Sequence, residues 1–275
     1  MKGLVKRSIT GIVFAAVMLA GIIINQYVFA IVFTVFLLLT LWEFYKISEN
    51  IGYEPSTKIG LISGFLLFII FFLAANRFIP QKFIYLSILI PIATLLPDLF
   101  DKRKNGFKNS MITIAGIIYI ALPFSLLSFI LIPANKTEPE FYPWILLGIF
   151  IIIWIYDSMA YVFGSWLGKH KIAERISPKK SWEGLIGGAI FAVITSVVIS
   201  KFFDELSITS WIVITLLIVS FGTSGDFFES KLKREAGVKD SGTILPGHGG
   251  MLDRFDTVLF AVPVIFVWIY LFGNI

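Results

Sequence analysis

Apolar residues fall along this chain in long blocks separated by short polar breaks. A bilayer core needs roughly 20 mostly apolar residues per helix. Nine blocks come near that length, at 8–25, 27–46, 59–76, 83–97, 110–132, 144–167, 184–203, 210–228 and 255–272. The pattern predicts an all-α polytopic membrane protein with about nine transmembrane helices. The fourth block is short and carries Pro91 and Pro97, so it is expected to kink or to re-enter. Pro123 in the fifth and Pro263 in the ninth are kinks that membrane helices tolerate. The N-terminus, basic from Met1 to Arg7 and apolar from Ile9, has the outline of a signal peptide. Its apolar run continues to Ile24, beyond the ~7–15 residues of a signal sequence, which favours an uncleaved first helix. No internal repeat, low-complexity tract or soluble domain interrupts the series.

Composition agrees with this reading. The chain is 57% hydrophobic and 15% charged, against the ~25% charge of a soluble domain. It has no cysteine, which removes disulfides, thiolate metal sites, cysteine nucleophiles and lipoprotein anchors from consideration. The net charge of +5 does not mark a nucleic-acid binder, because the cations are sorted by loop. Counting sides alternately from the N-terminus, nineteen of the 23 lysines and arginines fall on the first side. Only Arg77, Lys82, Lys136 and Lys201 fall on the other. The positive-inside rule then predicts a cytoplasmic N-terminus and an external C-terminus, and the short tails and small loops suggest a bacterial inner (plasma) membrane. Residues 1–140 form about five helices with few intramembrane charges. Residues 141–275 form about four helices with two polar cytoplasmic loops, and this region is the expected catalytic one.

The first polar cluster runs from Thr223 to Asp256. Asp226, Glu229 and Lys233 are spaced to share one helical face. A carboxylate near the end of a membrane helix is costly and usually functional. Asp253 and Asp256 repeat the i, i+3 spacing at the start of the last helix. They could merely complement a helix dipole. Asp226, Asp253 and Asp256 together fit a Mg²⁺ site better, since Mg²⁺ takes a few carboxylates plus substrate phosphate oxygens. Between them lies Gly242-Thr-Ile-Leu-Pro246-Gly247-His248-Gly249-Gly250. Glycines there allow backbone N–H groups to approach phosphate, although the spacing is neither a P-loop nor a dinucleotide fingerprint. The alternative is a plain turn. His248 has Lys239, Asp240, Asp253 and Arg254 as neighbours, which favours a substrate-facing position. With His170 as the only other histidine, a zinc site of the HExxH kind is excluded.

The second cluster spans Gly168 to Gly184 and follows a helix bearing Asp157, an intramembrane carboxylate expected to be functional or paired. Its lysines could simply anchor the loop on anionic lipid. Ser177, Lys179, Lys180, Ser181 and Glu183, interleaved as they are, suit a phosphate headgroup better. Glu43 is expected to pair with Lys46 or to cap nothing. The Asp101–Lys104 run reads as a solvated topology signal.

The segment Ser230-Lys-Leu-Lys-Arg234, followed by Lys239-Asp240, Gly242, Leu245-Pro246, His248-Gly-Gly250 and Asp253-Arg-Phe-Asp256, resembles the C-terminal signature of phosphatidate cytidylyltransferases. Ser177-Pro-Lys-Lys-Ser-Trp-Glu-Gly184 with Gly187-Gly188 resembles that family's second motif. The resemblance covers 141–275 well and the N-terminal half only as a set of hydrophobic helices. It implies transfer of a cytidylyl group from CTP to phosphatidate, giving CDP-diacylglycerol and pyrophosphate. It further implies Mg²⁺ on Asp226, Asp253 and Asp256, with a monovalent cation such as K⁺ sharing the site, and a homodimer within membrane lipid. On this basis Lys233, Arg234 and Lys239 steady the triphosphate. Asp240, His248 and Arg254 complete the catalytic set, and Ser177, Lys179 and Lys180 hold the headgroup. Two rivals share parts of the pattern. Another CTP-using lipid enzyme, such as a polyprenol kinase, needs similar charged loops. A transporter would explain Asp157 and the glycine-interrupted helices, but the halves show no repeat and the charge gathers on one face.

Overall fold

The computed structural model describes residues 2–99, 106–132, 140–247 and 249–273. Every regular element among the described residues is helical. In chain order these are α1 (Lys2–Ile23), α2 (Gln26–Ile51), α3 (Thr57–Ala75), a 3-10 stretch (Gln81–Ile88) entering α4 (Leu89–Leu95), α5 (Gly106–Gly116), α6 (Leu122–Leu131), α7 (Pro143–Trp166), α8 (Trp182–Ile199), α9 (Ile208–Leu217), α10 (Thr223–Glu235) and α11 (Leu252–Phe272). π turns at Ile117–Ala121 and Ile218–Gly222 join α5 to α6 and α9 to α10. Seven helical rods are long and apolar enough to cross a membrane: α2, α3, α5–α6, α7, α8, α9–α10 and α11. The protein is thus an all-α polytopic membrane protein.

The first and fourth blocks take a different form from the other seven. Arg7–Ile23 and Gln81–Leu95 are shorter apolar helices. The fourth begins after Pro80 as 3-10 helix, with no buried residue over its first eight positions, and carries Pro91 inside α4. Proline removes a backbone donor and clashes with the preceding turn, so this block cannot sustain one long α-helix. The Asp101–Lys104 run lies outside the described residues.

Local signals set the other ends. Asn25 accepts hydrogen bonds from the N–H groups of Tyr27 and Val28 and starts α2, while Gly52, at φ 104°, ends it. Ser181 starts α8 and Ser207 starts α9 in the same way. The rod Ile208–Glu235 has 28 residues. At 1.5 Å per residue it is about 42 Å long, so its last two turns extend beyond a ~30 Å hydrocarbon core. These turns carry Lys231, Lys233, Arg234 and Glu235.

An aromatic knot ties the N-terminal helices to the C-terminal ones. Phe33 of α2 sits 6.4 Å from Phe124 of α6 and 6.3 Å from Phe150 of α7, and Phe124 is 4.8 Å from Phe255 of α11, centroid to centroid. Small residues bring α7 and α8 into backbone contact. A Cβ on Gly184 would lie 2.7 Å from the Ala160 carbonyl oxygen, and one on Gly188 2.9 Å from that of Tyr156. This is the small-xxx-small mode of membrane helix packing. It fixes both ends of the loop that joins the two helices.

Candidate active site

α10 and α11 meet as closely as α7 and α8. A Cβ on Gly225 would lie 2.4 Å from the carbonyl oxygen of Asp256. This close approach brings Asp226 and Asp256 to the lining of one cavity, with Thr257 bonded to both. Thr257 donates to Asp226 Oδ1 at 3.3 Å, and its N–H donates to Asp256 Oδ1 at 2.8 Å. Asp157 of α7 is exposed to the cavity that it lines together with this pair. Lys180, from the loop before α8, pairs with Asp226 Oδ2. Close carboxylates repel one another, so a cation at this point offsets a repulsion built into the helix packing.

Asp253 has a separate set of partners. Its Oδ1 accepts from Lys233 Nζ at 2.6 Å. Its Oδ2 accepts from the N–H groups of Gly250 and Ser241, at 2.8 and 2.9 Å. Lys233 also pairs with Glu229 at 2.5 Å, and Glu229 is buried. The i, i+4 spacing of Glu229 and Lys233 aligns them on α10, and Lys233 bridges to α11. Lys233 is thereby turned inward as the core of an ion triad. Arg234, one residue on, is exposed and lines none of the cavities described below.

The loop between α7 and α8 is held at its base. Lys171 and Ser181 form an isolated antiparallel bridge. Glu183 meets His170 Nδ1 at 2.6 Å and accepts from the His170 N–H at 3.2 Å. Glu183 therefore braces the loop from outside, away from the carboxylates. Ser177, Lys179, Lys180 and Ser181 line one cavity of about 330 Å³, whose far wall is Asp157, Asp226, Asp253 and Asp256. The two polar clusters of the sequence are opposite walls of one chamber.

Two further cavities adjoin it. One of about 240 Å³ runs between α1, α7 and α11, with Phe14, Phe150 and Trp154 on its apolar side and Asp157, Asp256 and Arg254 on its polar side. The other, of about 550 Å³, is walled by Arg7, Lys239, Asp240, Arg254 and the glycine-rich turn. That turn closes through a hydrogen bond from the Leu245 N–H to the Gly249 carbonyl at 3.1 Å. Gly247 and Gly249 adopt φ of 82° and 85°, a region that favours glycine. His248 lies outside the described residues.

No three histidine, aspartate or glutamate side chains among the described residues form a ready-made metal cage. Asp226, Asp256 and the nearby Asp157 nonetheless supply hard oxygen donors on one wall. Mg²⁺ commonly binds through one or two carboxylates, with substrate phosphates and water completing the shell. The donor set fits such an ion; Asp226 is engaged by the side chains of Lys180 and Thr257, whereas Asp253 is also tied to the backbone N–H groups of Ser241 and Gly250, which makes it the less available.

The residues that sequence reasoning passed over are mostly the supports. Tyr156 and Thr223 share a hydrogen bond at 2.5 Å in the lining of the same chamber as the carboxylates. Tyr119, in the π turn after α5, packs against Phe228 and Phe260 at 5.0 and 5.7 Å. Glu43 does not pair with Lys46, which binds Glu49 at 2.7 Å. It accepts instead from the Leu252 N–H at 2.8 Å. A carboxylate inside an apolar span is a signal for such a role, and Glu43 carries it as Asp157 does.

A sequence profile of the cytidylyltransferase family matches residues 5–272. The phosphatidate cytidylyltransferase of Staphylococcus saprophyticus is 40% identical over 167 residues, covering 60% of this chain and 61% of that protein. The protein of the same name from Staphylococcus epidermidis is 34% identical over 217 residues, covering 75% and 77%. That from Staphylococcus aureus strain COL is 38% identical over 167 residues, covering 60% and 61%. The chain spans about three fifths of the length of the first of these relatives.

Proposed function

Since the chain belongs to the cytidylyltransferase family, we propose that it transfers the cytidylyl group of CTP to phosphatidate, forming CDP-diacylglycerol and pyrophosphate. A non-bridging oxygen of the lipid phosphate attacks the α-phosphorus of CTP. The bond from that phosphorus to the β-phosphate oxygen breaks, and pyrophosphate leaves. No general base is required, because a phosphate monoester with a second pKa of ~6 is already ionised near neutral pH.

The observation that carries this reading is the single chamber. Ser177, Lys179, Lys180 and Ser181 face Asp157, Asp226 and Asp256 across about 330 Å³. One wall suits a phosphate monoester, and the other suits the cation that lets two anionic substrates meet. Mg²⁺ held by Asp226 and Asp256 would neutralise charge on the transferred phosphoryl group, with a monovalent cation such as K⁺ as its companion in the carboxylate cluster. Lys180, which lines the same cavity beside Asp226, would meet the lipid phosphate there. Lys239, Arg254 and the glycine-rich turn border the 550 Å³ cavity next door, which suits the triphosphate. The apolar cavity beside Phe14, Phe150 and Trp154 suits the glycerol end of the lipid.

The bias of nineteen cations to one side supports a plasma-membrane enzyme whose site faces the cytoplasm, where CTP is. A homodimer belongs to the same reading and is tested by the mass of the detergent-solubilised protein. The purified chain, given CTP, phosphatidate and Mg²⁺, should release pyrophosphate and make a cytidine-containing lipid in equal amounts. Absence of both products overturns the proposal.

A further inference from the structure

The glycine-rich turn is held by a side chain from the other end of the chain. Glu43 of α2 is buried, at 1% exposure, and lies some two hundred residues from its partners. Its Oε2 accepts from the Leu252 N–H at 2.8 Å and from the Ser241 hydroxyl at 2.9 Å. The same hydroxyl lies 2.9 Å from Asp253 Oδ2. One proton is therefore shared between two carboxylates, one from each half of the chain. Both ends of the turn close on Glu43. A Cβ on Gly242 or on Gly250 would lie 2.3 Å from a Glu43 carboxylate oxygen. The other oxygen, Oε1, has no hydrogen-bond partner among the described residues.

A carboxylate at a helix start can be merely a cap for α11. That role needs only the Leu252 contact. It explains neither the Ser241 hydroxyl nor the two glycines moulded around the carboxylate. Both are explained if Glu43 fixes the path of the turn that starts at Ser241 and ends at Gly250. That turn walls the cavity containing Lys239 and Arg254, with Arg7 of α1 against Gly247 on its far side.

We infer that Glu43 is a positioning residue for the nucleotide: it holds the glycine-rich turn in the shape that binds the triphosphate, and it couples the N-terminal helices to catalysis. This rests on the proposed cytidylyl transfer. Glu43 touches the turn and Ser241, not the reacting atoms.

The test compares Glu43→Ala, Glu43→Gln and Ser241→Ala in the full-length protein in detergent. It measures the KM for CTP, the KM for phosphatidate and the thermal midpoint. Glu43→Ala should raise the KM for CTP by at least about tenfold, with the KM for phosphatidate changed by less than about threefold. Glu43→Gln retains an acceptor oxygen and should recover most of the CTP affinity. Ser241→Ala should shift the CTP KM in the same direction by a smaller factor, and it stands as the test if Glu43→Ala does not fold. An unchanged CTP KM in the folded variants overturns the inference, as does a parallel loss for both substrates that tracks the thermal midpoint. Inactive wild-type protein would instead overturn the function on which it rests.

Discussion

Lys180 Nζ pairs with Asp226 Oδ2 across 46 positions of sequence. The lysine belongs to the loop between α7 and α8, and the aspartate to the first turn of α10. The pair joins the two walls of the site, and it places a cation where two further carboxylates, Asp157 and Asp256, converge. Both partners should be indispensable, for different reasons. Asp226→Asn should reduce cytidylyl transfer to below about 1% of wild type, and Lys180→Met should cost about 10²-fold in kcat, the range found when one charge-stabilising group is lost. Initial rates at saturating substrate check both. Full activity in either variant removes that residue from the site.

Lys233 has the opposite character. Its side chain is 14% exposed, and it holds Glu229 and Asp253 together. Breaking a buried ion network by removing one member costs about 3–5 kcal/mol, because the remaining charges are left uncompensated. Lys233→Met should therefore lower the thermal midpoint measurably. Adding Glu229→Gln to it should restore part of the loss, since one of the stranded carboxylates is then neutral. If Lys233→Met is as stable as wild type but inactive, Lys233 faces substrate instead.

Gly184 separates two effects of opposite sign. Alanine in place of a helical glycine is favourable by about 1 kcal/mol. Here its Cβ would stand 2.7 Å from a backbone oxygen of α7, which cannot move like a flexible side chain. Overpacking of this kind costs about 1–3 kcal/mol, so the net effect should be destabilising. Gly184→Leu should be worse, pushing the Lys180 loop away from Asp226 and reducing activity by more than about tenfold. A thermal midpoint equal to or above wild type in Gly184→Ala contradicts the close approach.

The proposed Mg²⁺ role of Asp226 and Asp256 is tested by removing the ion. Chelation with excess EDTA should abolish turnover, and added Mg²⁺ should restore it. In Asp256→Asn the Mg²⁺ needed for half-maximal rate should rise at least about tenfold. Turnover that survives exhaustive chelation contradicts the assignment.

Much of this was legible in the sequence for a physical reason. The cost of burying backbone and charge in a bilayer is high enough to write long apolar blocks and isolated carboxylates into the chain. Seven rods, Asp226 with Glu229 and Lys233 on one face, and the Ser177–Ser181 loop all follow from such patterns. Side-chain partners did not follow. Lys233 was expected at the triphosphate and is found inside an ion triad, because a helical face specifies a direction and not which neighbour occupies it. Glu183 was placed with substrate and instead braces His170, since one turn at the start of α8 decides which way it points. Glu43 is expected from the sequence to pair with Lys46 or to cap nothing, because its actual partners, Ser241 and Leu252, lie at the far end of the chain. The irregular fourth block, by contrast, was legible, since Pro91 and Pro97 lead the sequence reading to expect a break there.

The most direct test of the central claim follows the phosphorus atoms of CTP. The purified protein is given phosphatidate, Mg²⁺ and CTP labelled with ³²P at either the α or the γ position. Cytidylyl transfer predicts that the α label enters the lipid fraction while the γ label leaves as pyrophosphate. Appearance of the γ label in lipid, with none of the α label, would make the protein a CTP-dependent lipid kinase and contradict the account.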